Sequence, residues 1–187
     1  LGTMEMYARY ITNYQLQIME NNMTQANCHS NKVRYIGVDP GKSGGIAVID
    51  EHLEYIEVKK CPASVNDMAL LFALTMGDYP PDSVCVMIEK VWARPHDGRV
   101  SVFTFAQNYG HWEGIIASHE IQSHYVTPQV WMKAIGCPPR LAKKDRKNFL
   151  KELAKKKYPD ISKKLTLATS DAMLIAEYAK NNFDNIK

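Results

Sequence analysis

Three carboxylates in this sequence stand where they could do chemistry. Asp39 closes the apolar run VRYIGVD, Glu89 closes SVCVMIE, and Asp171 opens SDAMLIAEYA. Each has an ordinary alternative. Asp-Pro-Gly after residue 38 is good turn chemistry, and an acid in the first turn of a helix favours its dipole by about 0.3–1 kcal/mol. Three such acids on elements that can converge are a stronger signal than any one of them. Carboxylates held side by side repel and raise each other's proton affinity unless a cation sits between them. Hard oxygen donors with open positions suit Mg²⁺ or Mn²⁺.

The elements that must position these acids are legible in the apolar patterning. VRYIGVD and GGIAVID predict two strands joined by a glycine-rich turn, and LEYIEVKK a third, so residues 33–60 form an antiparallel meander. ASVNDMALLFALTM predicts an amphipathic helix ended by Gly77 and the Pro80-Pro81 pair. SVCVMIE has the density of a strand buried on both faces. Beyond it, Val102, Phe105, Tyr109, Trp112 and Ile116 recur at steps of three and four, a single helical face. IQSHYV predicts the fifth strand, after which Thr127 caps a short helix with Pro128 at its first position. A basic helix near 141–157 and a last one from Thr169 to Asn181 complete the order.

Size and composition narrow the classes. A chain of 187 residues, 45% of them hydrophobic, can bury one sizeable core. No apolar run approaches the roughly 18–20 residues of a membrane span, and the first residues lack a secretory layout. The four cysteines, Cys28, Cys61, Cys85 and Cys137, form no C-x-x-C pair, which argues against zinc and for reduced thiols in a cytosol-like compartment. Net charge is only +3, but Arg140 to Lys164 carries 11 basic residues against Asp145, Glu152 and Asp160. That segment is +8 on a body of −5, which points to a polyanionic partner or, more blandly, to a solvated helix face.

The blocks IGVDPGKSGGIAVID, VMIEKVWARP, KKDRK and SDAMLIAEYA resemble those of RuvC-type Holliday-junction resolvases, especially the phage and organellar branches. The resemblance runs from about Val33 to Lys180 and implies an α/β, ribonuclease-H-like fold, a mixed five-stranded sheet flanked by helices. It implies a homodimeric, metal-dependent endonuclease that cuts four-way DNA junctions symmetrically and leaves 5′-phosphate and 3′-hydroxyl ends. By position Asp39, Glu89 and Asp171 match the family's metal-binding acids, which would hold two Mg²⁺ or Mn²⁺ ions. A lysine near the cleaved phosphate is also implied, with Lys144 and Lys147 as candidates. Bacterial or phage-infected cytoplasm is the expected compartment, with an organellar matrix second.

One departure stands out. The family carries a fourth acid or a histidine about one helical turn before the last aspartate, where this chain reads LTLATSD, with Ala168 three residues before Asp171. Ala168 is read as an engineered replacement of that acid, leaving a protein that binds DNA without cutting it; a member that works with three acids is the alternative.

For DNA contact the candidates are Arg140, Lys143, Lys144, Arg146, Lys147 and Lys151 in the basic segment, where a helix start favours phosphate. Trp92, Arg94 and Arg99 follow Glu89 in a Pro/Gly-broken loop suited to stacking on splayed bases, with dimer packing an equal alternative for Trp92. His96, His111, His119 and His124 show no ligand spacing. Residues 1–32 form an N-terminal extension, in which Leu1-Gly2-Thr3 is read as a cloning remnant and MYARYITNYQLQIM as a short helix; residues 33–187 form the nuclease domain. Competing readings are a nuclease for RNA–DNA hybrids or transposition, and a junction-binding module without catalysis. A sugar-kinase or actin-type ATPase also opens with strand, Asp and glycine turn, but needs a second such domain.

Overall fold

In the computed structural model, residues 33–93 and 98–183 are described. The N-terminal extension lies outside them. Strands β1 (Arg34–Asp39), β2 (Gly45–Asp50) and β3 (Ile56–Lys60) form the meander, and β4 (Val84–Glu89) and β5 (Ser123–Val126) complete the sheet. Helix α1 (Val65–Met76) precedes β4, α2 (Arg99–Ser118) precedes β5, and α3 (Pro128–Ala134), α4 (Lys143–Lys157) and α5 (Ser170–Asn181) follow it. The sheet order is β3-β2-β1-β4-β5, with β1 parallel to β4 and antiparallel to β2. This is the mixed five-stranded, helix-flanked sheet of the ribonuclease-H-like fold. Among the described residues no helix is long and apolar enough to cross a membrane.

Strand alternation divides the core in two. Ile36, Val38, Val86 and Ile88 pack on the side of α1 and α2, with Phe72, Trp112 and Ile116. Tyr35, Ala47, Cys85 and Met87 pack on the other side, with α5 and Trp131. Because side chains repeat every second residue, Asp39 continues the Tyr35–Gly37 row and Glu89 the Cys85–Met87 row. Both acids therefore belong to the α5 side of the sheet. Apolar content all round α5 has a matching cause: Ala172 to Ala176 and Ala179 are fully buried, as a helix enclosed on all sides requires.

Two expectations need correction. The third strand starts at Ile56 rather than Leu53, because Leu53 has φ +60° and its N–H closes a turn on the Asp50 carbonyl. Thr127 occupies the N-cap position of α3 but its side chain makes no capping hydrogen bond. The five apolar residues read as one face do lie on one helix, α2, which is buried at Trp112 and Ile116, joined by Asn108 and Ile115, while Val102, Phe105 and Tyr109 are only partly covered. Further towards the start of α2, Val100 and Phe103 are 80% and 71% exposed.

Candidate active site

The sheet itself brings the first two acids together. Val38 is paired with Ile88 across the parallel β1–β4 ladder, so Asp39 and Glu89 are the next residues of neighbouring strands, which run about 4.8 Å apart. The third acid arrives because α5 crosses directly over β1 at Gly37. A Cβ at residue 37 would lie 2.3 Å from the Ala172 carbonyl oxygen and 2.3 Å from the Ala176 nitrogen, so only glycine lets the helix so close. Asp171, in the first turn of α5, is thereby carried to the strand ends.

Electrostatics report this proximity. Burial raises the Asp39 carboxyl well above its ordinary value, and the neighbouring Glu89 and Asp171 raise it further. Glu89 is pushed up to about 7, by burial first and by Asp171. Burial likewise raises Asp171, which is opposed by Lys147 and Arg146. The Lys147 ammonium stands 3.9 Å from an Asp171 oxygen and also lowers Asp39 and Glu89. Of the two lysine candidates, Lys147 is thus at the carboxylates; Lys144 is exposed on the surface of α4.

Two residues that sequence reasoning missed hold the site in place. Trp131, fully buried in α3, donates its indole N–H to Glu89 Oε1 at 2.8 Å. Asn108 on α2 accepts the Gly41 N–H at 2.7 Å and donates its amide to Cys61 Sγ at 3.3 Å and Met68 Sδ at 3.7 Å. Gly41 has φ +112°, and the turn is closed by Gly44 N–H on the Gly41 carbonyl at 3.0 Å. Gly44 is equally constrained, since a Cβ there would be 2.0 Å from the Asp39 carbonyl oxygen. Neither Trp131 nor Asn108 belongs to a sequence motif that would flag it.

Ala168 lies in the turn before α5, and its carbonyl oxygen would be 2.9 Å from a Cβ on Gly45. Gly45 is the residue paired with Asp39 across the β1–β2 ladder, so the LTLATSD turn borders the carboxylates. Among the described residues, no three His, Cys, Asp or Glu side chains are arranged to enclose a metal ion. The donors fit a hard divalent cation in type, and their mutual repulsion leaves a deficit of positive charge, but the set is open rather than a closed cage.

Basic residues divide into two groups. Lys151 and Lys155 pair with Glu152, Lys157 with Glu177, and Lys164 with Glu57. Arg140, Lys143, Lys144 and Arg146 make no ion pair with a described residue, and all four fall at or just before the start of α4. The 3.1 Å pair of Lys151 with Glu152 makes it a weaker candidate for DNA contact than these four. Arg99 lies exposed in the first turn of α2, and Arg94 and His96 lie outside the described residues.

Trp92 is 63% exposed and borders a groove of about 830 Å³ that also takes in Ser43, Phe105, Tyr109 and Lys143. The groove joins the Gly41 turn, the segment after Glu89 and the start of α4. Lys90 stands 5.9 Å from the Trp92 ring centre and 5.8 Å from that of Tyr125, whose hydroxyl donates to Glu113 at 2.7 Å.

No family model and no curated protein sequence matches the chain. Among solved structures it is similar to T. thermophilus RuvC in complex with a Holliday junction substrate, with TM-score 0.56 and 13% identity over 82% of this chain and 96% of that one. It is also similar to the Thermus thermophilus RuvC structure, with TM-score 0.50, 16% identity, and coverage of 82% and 98%. The fold is therefore that of RuvC, an α/β fold with a mixed central sheet. What the carboxylates do on that fold has to be argued from the site.

Proposed function

We propose that this chain is a metal-dependent endonuclease of the RuvC type that resolves four-way DNA junctions. One observation carries the reading: Asp39, Glu89 and Asp171, from three distant segments, crowd together at the ends of the adjoining inner strands β1 and β4 beside Lys147, on a RuvC fold. Three partly buried acids crowded together, with Asp39 raised by both neighbours and Glu89 by Asp171, are a poor choice for stability alone, and such clusters mark functional sites.

Asp39, Glu89 and Asp171 would hold the divalent ions, Mg²⁺ or Mn²⁺ and two of them, which would supply a water nucleophile and charge neutralisation for an in-line displacement at phosphorus. Without ions Glu89 is pushed up to about 7, and Asp39 and Asp171 are raised as well, so cation binding would displace protons as well as relieve repulsion. Lys147 orients Asp171 and adds positive charge where the scissile phosphate arrives. Arg140, Lys143, Lys144 and Arg146 bind flanking phosphates. Trp92, on the rim of the groove, stacks on bases unpaired at the junction centre. Glycine at 41, 44 and 45 keeps the backbone low beside the phosphate. Products carry 5′-phosphate and 3′-hydroxyl ends.

One chain holds one set of acids, so symmetric cutting of two strands needs two copies, and we propose a homodimer. We read Ala168 as standing in the place of a further acid of the open carboxylate set, and with alanine there the chain is expected to bind junctions while cutting them poorly.

The test compares the chain with its Ala168→Asp variant on labelled junction, duplex and RNA–DNA hybrid, with and without Mg²⁺. The variant is expected to cut the junction symmetrically, only with Mg²⁺, and at least about tenfold faster than duplex or hybrid. Preferential cutting of the hybrid would replace this reading with a ribonuclease-H activity. Tight junction binding without cutting by either form would leave a binding module.

A further inference from the structure

We infer that Trp131 is a positioning residue for Glu89: its indole N–H fixes one carboxylate oxygen so that only the other is presented to a divalent cation. The inference rests on the proposed metal-binding role of Glu89 but concerns a residue outside the acid set.

The geometry is specific. Trp131 sits in α3, directly after β5, and is fully buried in the core on the α5 side of the sheet. It could have filled that volume as a phenylalanine would; instead its one polar atom is aimed at the sheet edge and meets Glu89 Oε1 at 2.8 Å. An indole N–H only donates and never accepts, so the contact selects a carboxylate oxygen and cannot invert. Glu89 has one more rotatable bond than an aspartate, and at the end of its strand the head group would otherwise sample several orientations. A buried donor removes that freedom, and partners of this kind support ligand geometry in metal sites at about 10–100-fold in affinity. The tryptophan buried on the opposite side of the sheet shows that the arrangement is particular. Trp112 is equally buried, yet its indole nitrogen meets no oxygen or nitrogen acceptor among the described residues and has only the Cys61 thiol beside it.

Calorimetric titration with Mg²⁺ tests this on the full chain, on Trp131→Phe and on Glu89→Gln. Phenylalanine keeps most of the ring and removes the N–H. Expected results are Mg²⁺ affinity about tenfold weaker for Trp131→Phe and lost for Glu89→Gln. In the Ala168→Asp background, Trp131→Phe should lower kcat and leave the KM for junction unchanged, which general loosening of the core would not do. Unchanged Mg²⁺ affinity in Trp131→Phe, with loss in Glu89→Gln, overturns the role of Trp131 and leaves the function intact. Unchanged affinity in Glu89→Gln overturns both. Should Trp131→Phe fail to fold, the indole N–H resonances of the unaltered chain decide. The Trp131 resonance, assigned through Trp92→Phe and Trp112→Phe, should shift on adding Mg²⁺ and stay still in Glu89→Gln. A resonance that ignores Mg²⁺ in the unaltered chain, while calorimetry records binding, also overturns the inference.

Discussion

Gly37 and Ala176 are in backbone contact: a Cβ on the strand residue would fall 2.3 Å from the helix residue's nitrogen. The helix that carries Asp171 can lie on the strand that carries Asp39 only because position 37 has no side chain. Gly37→Ala is expected to cost about 3 kcal/mol or more, and to abolish Mg²⁺ binding even at temperatures where the protein stays folded. Chemical denaturation and calorimetry check the two effects separately.

The acids themselves should show the opposite balance. Asp39→Asn or Asp171→Asn removes one member of a crowded, partly buried set in which Asp171 raises Asp39. Without metal each variant is expected to be more stable than the parent by about 1 kcal/mol, and in the Ala168→Asp background each should lose cleavage by at least about 10³-fold. A variant destabilised in metal-free buffer would show that its carboxylate is structural.

Stability should depend on pH with an unusual sign. A carboxyl whose folded value lies above its unfolded value keeps its proton in the native state after the unfolded chain has lost it. Folding therefore weakens as pH rises between about 4.5 and about 7, the window set by Glu89. A shift of that size corresponds to about 3 kcal/mol at most. Melting of the metal-free protein should fall across this interval, and Glu89→Gln should flatten the curve. Mg²⁺ should raise the melting temperature more at pH 8 than at pH 5.

Asn108 ties the Gly41 peptide to α2. Asn108→Ala leaves that buried N–H without its acceptor and is expected to cost about 1–3 kcal/mol. Because the clamped turn directly follows Asp39, kcat should also fall in the Ala168→Asp background. Denaturation paired with single-turnover cleavage measures both.

Neutralising Lys143 and Lys144 should weaken junction binding and reduce the slope of log affinity against log salt by about 1 for each phosphate that no longer meets a cation. Lys155→Ala, which breaks a pair with Glu152, should change that slope little. A titration of binding against NaCl separates the two outcomes.

The strands that present Asp39 and Glu89 are legible because a dense apolar run ending in an acid is unusual, and α5 because its apolar content exceeds one helical face. Periodicity puts Phe105 and Tyr109 on the face of Trp112 but leaves their burial open, since it records which residues share a face and not how far the sheet beneath extends. Trp131 and Asn108 leave no trace. A hydrogen bond across 42 residues, from Trp131 to Glu89, or 67, from Gly41 to Asn108, has no local pattern. The basic segment shows its charge but not its division, because Glu57 and Glu177 approach it from other elements. LEYIEVKK promises a longer strand, and the left-handed Leu53 denies it.

The helix packed over Gly37 is made after all five strands. A ribosome that has released β1 through β5 has built the material of the whole sheet, yet it has not delivered the final acid or covered Ala47 and Ile49 from above. No fragment ending before residue 170 contains a finished pocket. Synthesis order thus sets the order of assembly: the three acids can meet only once the element that completes their pocket has emerged.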